Sequence, residues 1–382
     1  MNLKSLLLGS AAALVAVSDA RAADAVVVAE PEAAEYVRIC DVYGAGYFYI
    51  PGTETCLRIG GYVRYDIAAG DAGSFDGANH VPDRMGNGTN SAWEKNARFT
   101  LKTWTGQQTE LGALKTYTEA RINFGNNGGD YATGGTNWQA RDKGLTLNFA
   151  WIQLGGLRAG KDESAFDTFI GYAGSVINDT LIPYGGLGTN VVQYYFEASN
   201  GFSSVISLEQ GSGVVGTIDS YVPHVVGGLK FARAWGAVTG VVAYDSNYEE
   251  VAGKVRLDVT PMQNLSLFIM AGYGTDDNLL DDLNNTIDAN GRGFYKQWGG
   301  NWAIWGGGTY KINQKTSFNV QISYDHDKNF AVATNIAYEI VPGFKVTGEI
   351  DYLEVGSKDT YNWTDATDKS NIGGIVRFQR SF

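Results

Sequence analysis

The sequence predicts an all-β protein, a 16-stranded antiparallel transmembrane β-barrel with its third long loop folded inward. Apolar and polar residues alternate with period two along nearly the whole chain. Short connections rich in turn residues occupy one end of the strands, and most connections at the other end are long. After residue 22 no apolar run reaches the ~18 residues that mark a spanning helix, so any crossing must be made by strands closed on themselves.

Residues 1–22 read as a signal peptide, with Lys4 before the apolar stretch Leu6 to Val17 and Ala20-Arg21-Ala22 as the cleavage site. Its removal takes away Lys4, Arg21 and Asp19, leaving 27 basic against 40 acidic residues from Ala23 onward. Residues 23–56 form an expected periplasmic segment. It holds both cysteines, Cys40 and Cys56, and an even count in an oxidising compartment reads as one disulfide. The closed loop of about 15 residues is worth roughly 3 kcal/mol in the chain-entropy model.

The barrel is expected over residues 57–382. In the first strand Leu57, Ile59, Gly61, Val63, Tyr65 and Ile67 alternate with Arg58, Gly60, Tyr62, Arg64 and Asp66. Ala97 to Thr103 and Leu114 to Phe124 repeat the form, as do Val251 to Val259, Phe318 to Asp325 and Phe344 to Tyr352. Weaker segments lie between them, and Ile372 to Phe382 closes a set of sixteen. Short turns fall at 155–156, 199–201, 261–264, 313–315 and 341–343. Long connections are expected at 68–92, 125–144, 164–189, 210–224, 274–301 and 355–370. An even strand number puts both chain ends on the short-turn side.

The apolar parity carries almost no charge. Turned inward over sixteen strands, it would line a cavity that side chains could not fill. Turned outward it meets lipid, and the polar parity lines a wet lumen. Tyr65, Tyr244, Tyr273, Tyr324 and Tyr352 end apolar rows on the long-loop side, and Phe318, Tyr338, Phe344 and Phe382 mark the other side, as aromatic girdles do. From Phe344 to Tyr352 the band is roughly 20 Å high at about 3.3 Å per residue and a tilt of about 40°.

The acidic balance argues against a nucleic-acid partner. The three histidines, His80, His224 and His326, are expected in exposed loops, and neither a G-x-S-x-G nor an H-E-x-x-H motif occurs, so no enzyme, metal site or cofactor is expected. Asp276, Asp277, Asp281, Asp282 and Asp288 crowd one long loop without the spacing of a calcium loop.

What narrows the lumen is expected to be the connection Ser164 to Gly186. It is too apolar to stand in water and too broken by glycine and Pro183 to be a strand. Its charges are Asp167 and Asp179, with Asp162 and Glu163 leading in. The inward parity of the first three strands presents Arg58, Arg64, Arg98, Lys102, Lys115 and Arg121. An acidic loop against a basic wall sets up a transverse field across a passage. A channel selective for sugars would need an aromatic ladder inside, and Tyr62 and Tyr117 are two candidate rungs. That makes a substrate-specific channel with a saturable site the alternative reading.

The stretch CDVYGAGYFYIPGTETCLRIGGYVRYD (40–66), the segment FAWIQLGGLRAGKDESAFDTFIGYAG (149–174) and the end GGIVRFQRSF together resemble the general porins of alphaproteobacterial outer membranes, of the Brucella and Rhizobium type. The resemblance implies a homotrimer in the outer membrane, with lipid and lipopolysaccharide around it, an inward third loop, and passive diffusion of small hydrophilic solutes. The terminal Phe382, with Phe378 on the same parity, resembles the aromatic signal read by the barrel-assembly machinery. Arg380 is the exception, a charge on the lipid-facing parity, expected to snorkel to headgroups.

Overall fold

A computed structural model describes residues 38–72, 77–126, 138–275, 293–356 and 368–382. Sixteen antiparallel strands close on themselves: β1 (Cys56–Gly70), β2 (Glu94–Thr109), β3 (Gly112–Gly125), β4 (Arg141–Leu154), β5 (Leu157–Glu163), β6 (Gly188–Glu197), β7 (Phe202–Gly211), β8 (His224–Arg233), β9 (Gly236–Asp245), β10 (Glu250–Met262), β11 (Leu265–Gly274), β12 (Trp302–Lys311), β13 (Thr316–Asp325), β14 (Phe330–Val341), β15 (Phe344–Glu354) and β16 (Ser370–Ser381). Each pairs with its sequence neighbours, and β16 returns to β1 with Gly373 opposite Gly70 and Ser381 opposite Tyr62. Closure leaves none of the sixteen with an open edge, which is what lipid demands.

The seam explains why the chain end is ordered. The Phe382 amide donates to the Gly61 carbonyl at 3.1 Å, and the Gly61 amide returns the bond at 3.1 Å. Gly61 sits at φ 153°, and a methyl group there would lie 2.0 Å from the Thr100 carbonyl oxygen. Only a glycine lets the three backbones meet. Arg380 is exposed. Its Nη1 donates to the Pro342 carbonyl at 2.5 Å, capping the turn between β14 and β15.

The outward parity is apolar and uncovered. Ile59, Val63, Phe99, Ile122, Ile206 and Ile350 are all exposed, as are the girdle residues Tyr65, Tyr244, Tyr273, Phe318 and Phe382. The inward parity is polar and largely buried, including Asn319, Gln321, Ser323, Asn335, Glu349 and Asp351. The 261–264 turn is shorter than the sequence suggested. β10 runs on to Met262 through a register shift after Val259, and Pro261, which has no amide to give a ladder, sits at that irregularity.

Before β1, Cys40 and Cys56 form the expected disulfide, with Phe48–Tyr49 paired to Leu57 and Cys56. The Tyr43 ring covers Gly106 on the inward face of β2, where a methyl group would meet the ring at 2.6 Å. A small hairpin, Ala78–Pro82 with Thr89–Ala92, lies between β1 and β2. His224 corrects an expectation. It is the first residue of β8, fully buried and stacked on Phe294, with Nε2 on the Gly216 carbonyl at 3.0 Å and the Ser246 amide donating to Nδ1 at 3.0 Å. His326 is in an exposed loop and stacks on Trp302. The five aspartates of the 274–301 connection lie outside the described residues.

Candidate functional site

The segment 164–187 leaves β5 through the single-turn helix α1 (Ala165–Thr168), whose N-cap Ser164 accepts from the Phe166 amide. It then crosses the far wall. Its apolar residues Phe166, Ile170, Leu181, Ile182 and Tyr184 are buried in one cluster with Phe268, Trp298 and Trp305. Burial of these side chains, each worth about 1.5–3 kcal/mol, is the bulk of the adhesion.

Polar contacts fix where it lies. Glu209 of β7 accepts from Ser164 Oγ at 2.7 Å and from the Ala165 amide at 3.0 Å. Glu349 of β15 accepts from the Ile177 and Asn178 amides at 2.5 and 2.7 Å, and Asp351 from Asn178 Nδ2 at 2.6 Å. Gln321 of β13 donates to the Asp179 carbonyl and Asn335 of β14 to that of Ser175. Trp305 of β12 holds the Ile182 carbonyl at 2.8 Å, and Arg256 of β10 those of Gly171 and Tyr172. Every one of these wall residues belongs to the inward parity, so the segment lies against the lumen side of β7 to β15.

The four loop carboxylates have different surroundings. Asp167 is fully buried in an ion pair with the equally buried Lys254, 2.7 Å away, and so faces no water. Lys254 Nζ also donates to the Tyr184 carbonyl at 2.7 Å and lies 4.0 Å over the Phe166 ring. Burial pushes the Asp167 carboxyl above its usual range, and Lys254 pulls the other way. Gly185 makes room for this carboxylate, because a methyl group there would fall 1.9 Å from its Oδ1. Asp162 is paired with Arg158 at 2.6 Å. Glu163, the last residue of β5, accepts from the half-exposed Tyr172 hydroxyl. Asp179 accepts from Tyr184 at 2.6 Å, and burial lifts its carboxyl to about 6.

The opposite wall, β16 and β1 to β5, carries the cations named from the sequence, and it also carries their counter-ions. Asp66 pairs with Arg64 at 3.0 Å and Arg377 at 2.8 Å. Glu119 pairs with Lys102 at 3.1 Å and Arg121 at 2.6 Å, and accepts from Tyr117 at 2.7 Å. Arg98 donates to Asn123 at 2.7 Å, Arg58 lies 4.7 Å over the Trp104 ring, and Lys115 lines a recess with Arg158. Sequence reasoning had these positions on the right face. It did not foresee that the two carboxylates on the same inward parity, Asp66 and Glu119, pair with these cations, or that Glu209, Lys254, Trp305 and Glu349 anchor the segment.

A sixteen-strand barrel with an apolar outside, a polar inside and a segment crossing that inside is the geometry of a channel. A family model described as "Porin subfamily" matches residues 24–375. The chain belongs to that porin family. The porin is 52% identical to Porin Omp2b of Brucella canis and 51% identical to Porin Omp2b of Brucella melitensis, with all of both chains covered in each case. Its fold matches an anion-selective porin from Comamonas acidovorans at a TM-score of 0.50, with 14% identity over 86% of this chain and all of that one. It matches Salmonella typhi OmpF in complex with daunomycin at 0.54, with 9% identity over 86% and 98%. The porin is thus a channel protein of the outer membrane and not an enzyme.

Proposed function

We propose that this porin is a general diffusion channel for small hydrophilic solutes and ions, narrowed between segment 164–187 and the wall of β16 and β1 to β5. The observation that carries the reading is the docking of that segment on inward residues of β7 to β15, which leaves the other wall free of it. The acidic groups of the passage are Asp179 on the segment and Glu163 at the end of β5, with Asp167 acting as a staple and Asp162 as a partner for Arg158. The basic side is Arg58, Arg98 and Lys115, together with the ion-paired Arg64, Lys102 and Arg121. A dipolar solute aligns in the field between them, and an apolar one must displace ordered water.

The working unit in this reading is a homotrimer in contact with lipopolysaccharide. Residues 1–22 are its export signal, and Phe378 and Phe382 its assembly signal. Reconstitution in a planar bilayer tests the channel. Stepwise, ohmic conductance is expected, larger in a variant lacking Phe166 to Tyr184. Equal conductance in the two would refute the narrowing.

A further inference from the structure

The wall opposite the docked segment holds more than charge. Trp104 of β2, Tyr117 of β3 and Trp151 of β4 are opposite one another in register and share the inward parity. Their rings form a continuous strip, Trp104 stacked on Tyr117 at 5.3 Å between centroids and Tyr117 against Trp151 at 5.7 Å. All three are half-exposed rather than sealed. A guanidinium sits on each end. Arg58 is 4.7 Å over Trp104, and Arg158 is 4.0 Å over Trp151 and 5.0 Å over Tyr195.

The strip runs into a recess of about 680 Å³ beneath the start of the crossing segment, lined by Lys115, Arg158, Lys230, Phe169 and Tyr195. Glu197 is the one carboxylate among its lining residues, against Lys115, Lys230 and Arg158, the last of which is already paired with Asp162. Rings that line a wet passage offer a flat solute offset or edge-to-face contacts, and the guanidiniums held beside them attract a negative charge on that solute. A neutral solute would gain from the rings alone, and a small inorganic anion from the cations alone. The combination fits a solute with both a flat ring and a carboxylate.

We propose that this strip and recess form a weak, saturable binding site for aromatic carboxylates within the pore. The proposal rests on the diffusion-channel reading, because the solute must reach the strip through water. The native oligomer in a planar bilayer is titrated with potassium benzoate over a KCl background, with potassium acetate and benzyl alcohol as the charge-only and ring-only probes. Benzoate is expected to lower single-channel conductance saturably with a half-effect in the millimolar range, and the two controls to leave it within the change caused by ionic strength alone. The variants Trp151→Leu and Trp104→Leu, each judged assembled by channel formation in KCl, are expected to raise the half-effect concentration at least fivefold. Arg58→Gln, at an exposed position, is expected to raise it as well and guards against an assembly defect in the tryptophan variants. Benzoate acting no differently from acetate, or equal titrations in wild type and all variants, overturns the site. Absence of any conductance would instead overturn the channel reading on which it rests.

Discussion

Replacing Lys254 by Met tests how the crossing segment is held. The side chain keeps its length and apolar stem but loses the only cation in contact with Asp167 among the described residues. Breaking a buried ion pair by removing one partner costs about 3–5 kcal/mol, because the remaining charge has no water to replace it. The Tyr184 carbonyl loses a donor at the same time. The anchors at Glu209, Trp305 and Glu349 remain, so the segment stays docked, but local opening around α1 becomes roughly 100- to 4,000-fold more frequent at about 1.4 kcal/mol per decade. Asp167 can limit the loss by taking up a proton. Its docked carboxyl is already raised, so in the variant docking recovers as pH falls, by up to about 1.4 kcal/mol per unit. Amide hydrogen exchange of peptides covering 164–171 and 184–187 should accelerate at least 100-fold at pH 8 and less at pH 6, with barrel strands unchanged. The double variant Asp167→Leu/Lys254→Met, apolar at both positions, should restore most of the protection. Less than a tenfold change in Lys254→Met, or a double variant as open as the single, would show that the pair does not hold the segment.

Asp179, with its carboxyl near 6, is charged above that pH and neutral below it, so cation preference in reversal potentials should drop between pH 7.5 and 5 in wild type and stay flat in Asp179→Asn. Docking raises this group from 3.8, so the same protonation tightens the segment as pH falls through 6 and loosens it as pH rises. Glu119→Gln strips Lys102 and Arg121 of their shared counter-ion; one charge at about 7 Å in water is worth roughly 0.6 kcal/mol per ion, so the local anion concentration should rise about threefold and the reversal potential move toward anions. Gly61→Val forces a side chain into the Thr100 carbonyl at the seam, and the yield of heat-modifiable, folded barrel should fall steeply while expression of the chain does not. Reducing the Cys40–Cys56 bond should expose residues 39–56 to protease, at a local cost of roughly 3 kcal/mol, and leave barrel melting unchanged.

The barrel was legible because each strand must solve the same problem twice, lipid on one side and water on the other. Ile59 and Arg58 differ by one residue and face opposite media, so period two alone fixed the strand count, the seam and the exposed rows. The position of segment 164–187 was legible from its composition, since Phe166, Ile170 and Ile182 had to be buried somewhere. Its partners were not. Lys254 lies 87 residues from Asp167 and Glu349 lies 172 from Ile177, and nothing local joins them. Parity placed Lys254 and Glu349 inside, but which inward residue meets which part of the segment depends on how it folds across the lumen. The same limit hid the aromatic strip. Trp104, Tyr117 and Trp151 become neighbours only through the register of three strands, and two tyrosines noted singly gave no path. His224 was misplaced because a loop position seemed polar and open, whereas Phe294 and Tyr295 close over it.

The pairing on the wall changes what kind of field the passage holds. A bare row of six cations would repel one another and favour anions along its whole length. With Asp66 shared by Arg64 and Arg377, and Glu119 shared by Lys102 and Arg121, each carboxylate neutralises one of two charges and fixes the geometry of both. The wall then acts as a ladder of oriented dipoles with a modest excess of positive charge. On the other side Asp167 is withdrawn into its pair with Lys254, so the acidic face is thinner than the sequence implies. Charges spread over the rest of the chain contribute little here, because beyond about 8–10 Å salt screens them. The acidic composition of the whole protein is therefore a poor guide to its pore, and in the proposed channel the ions in transit answer to a small local balance, Glu163 and Asp179 against Arg58, Arg98 and Lys115.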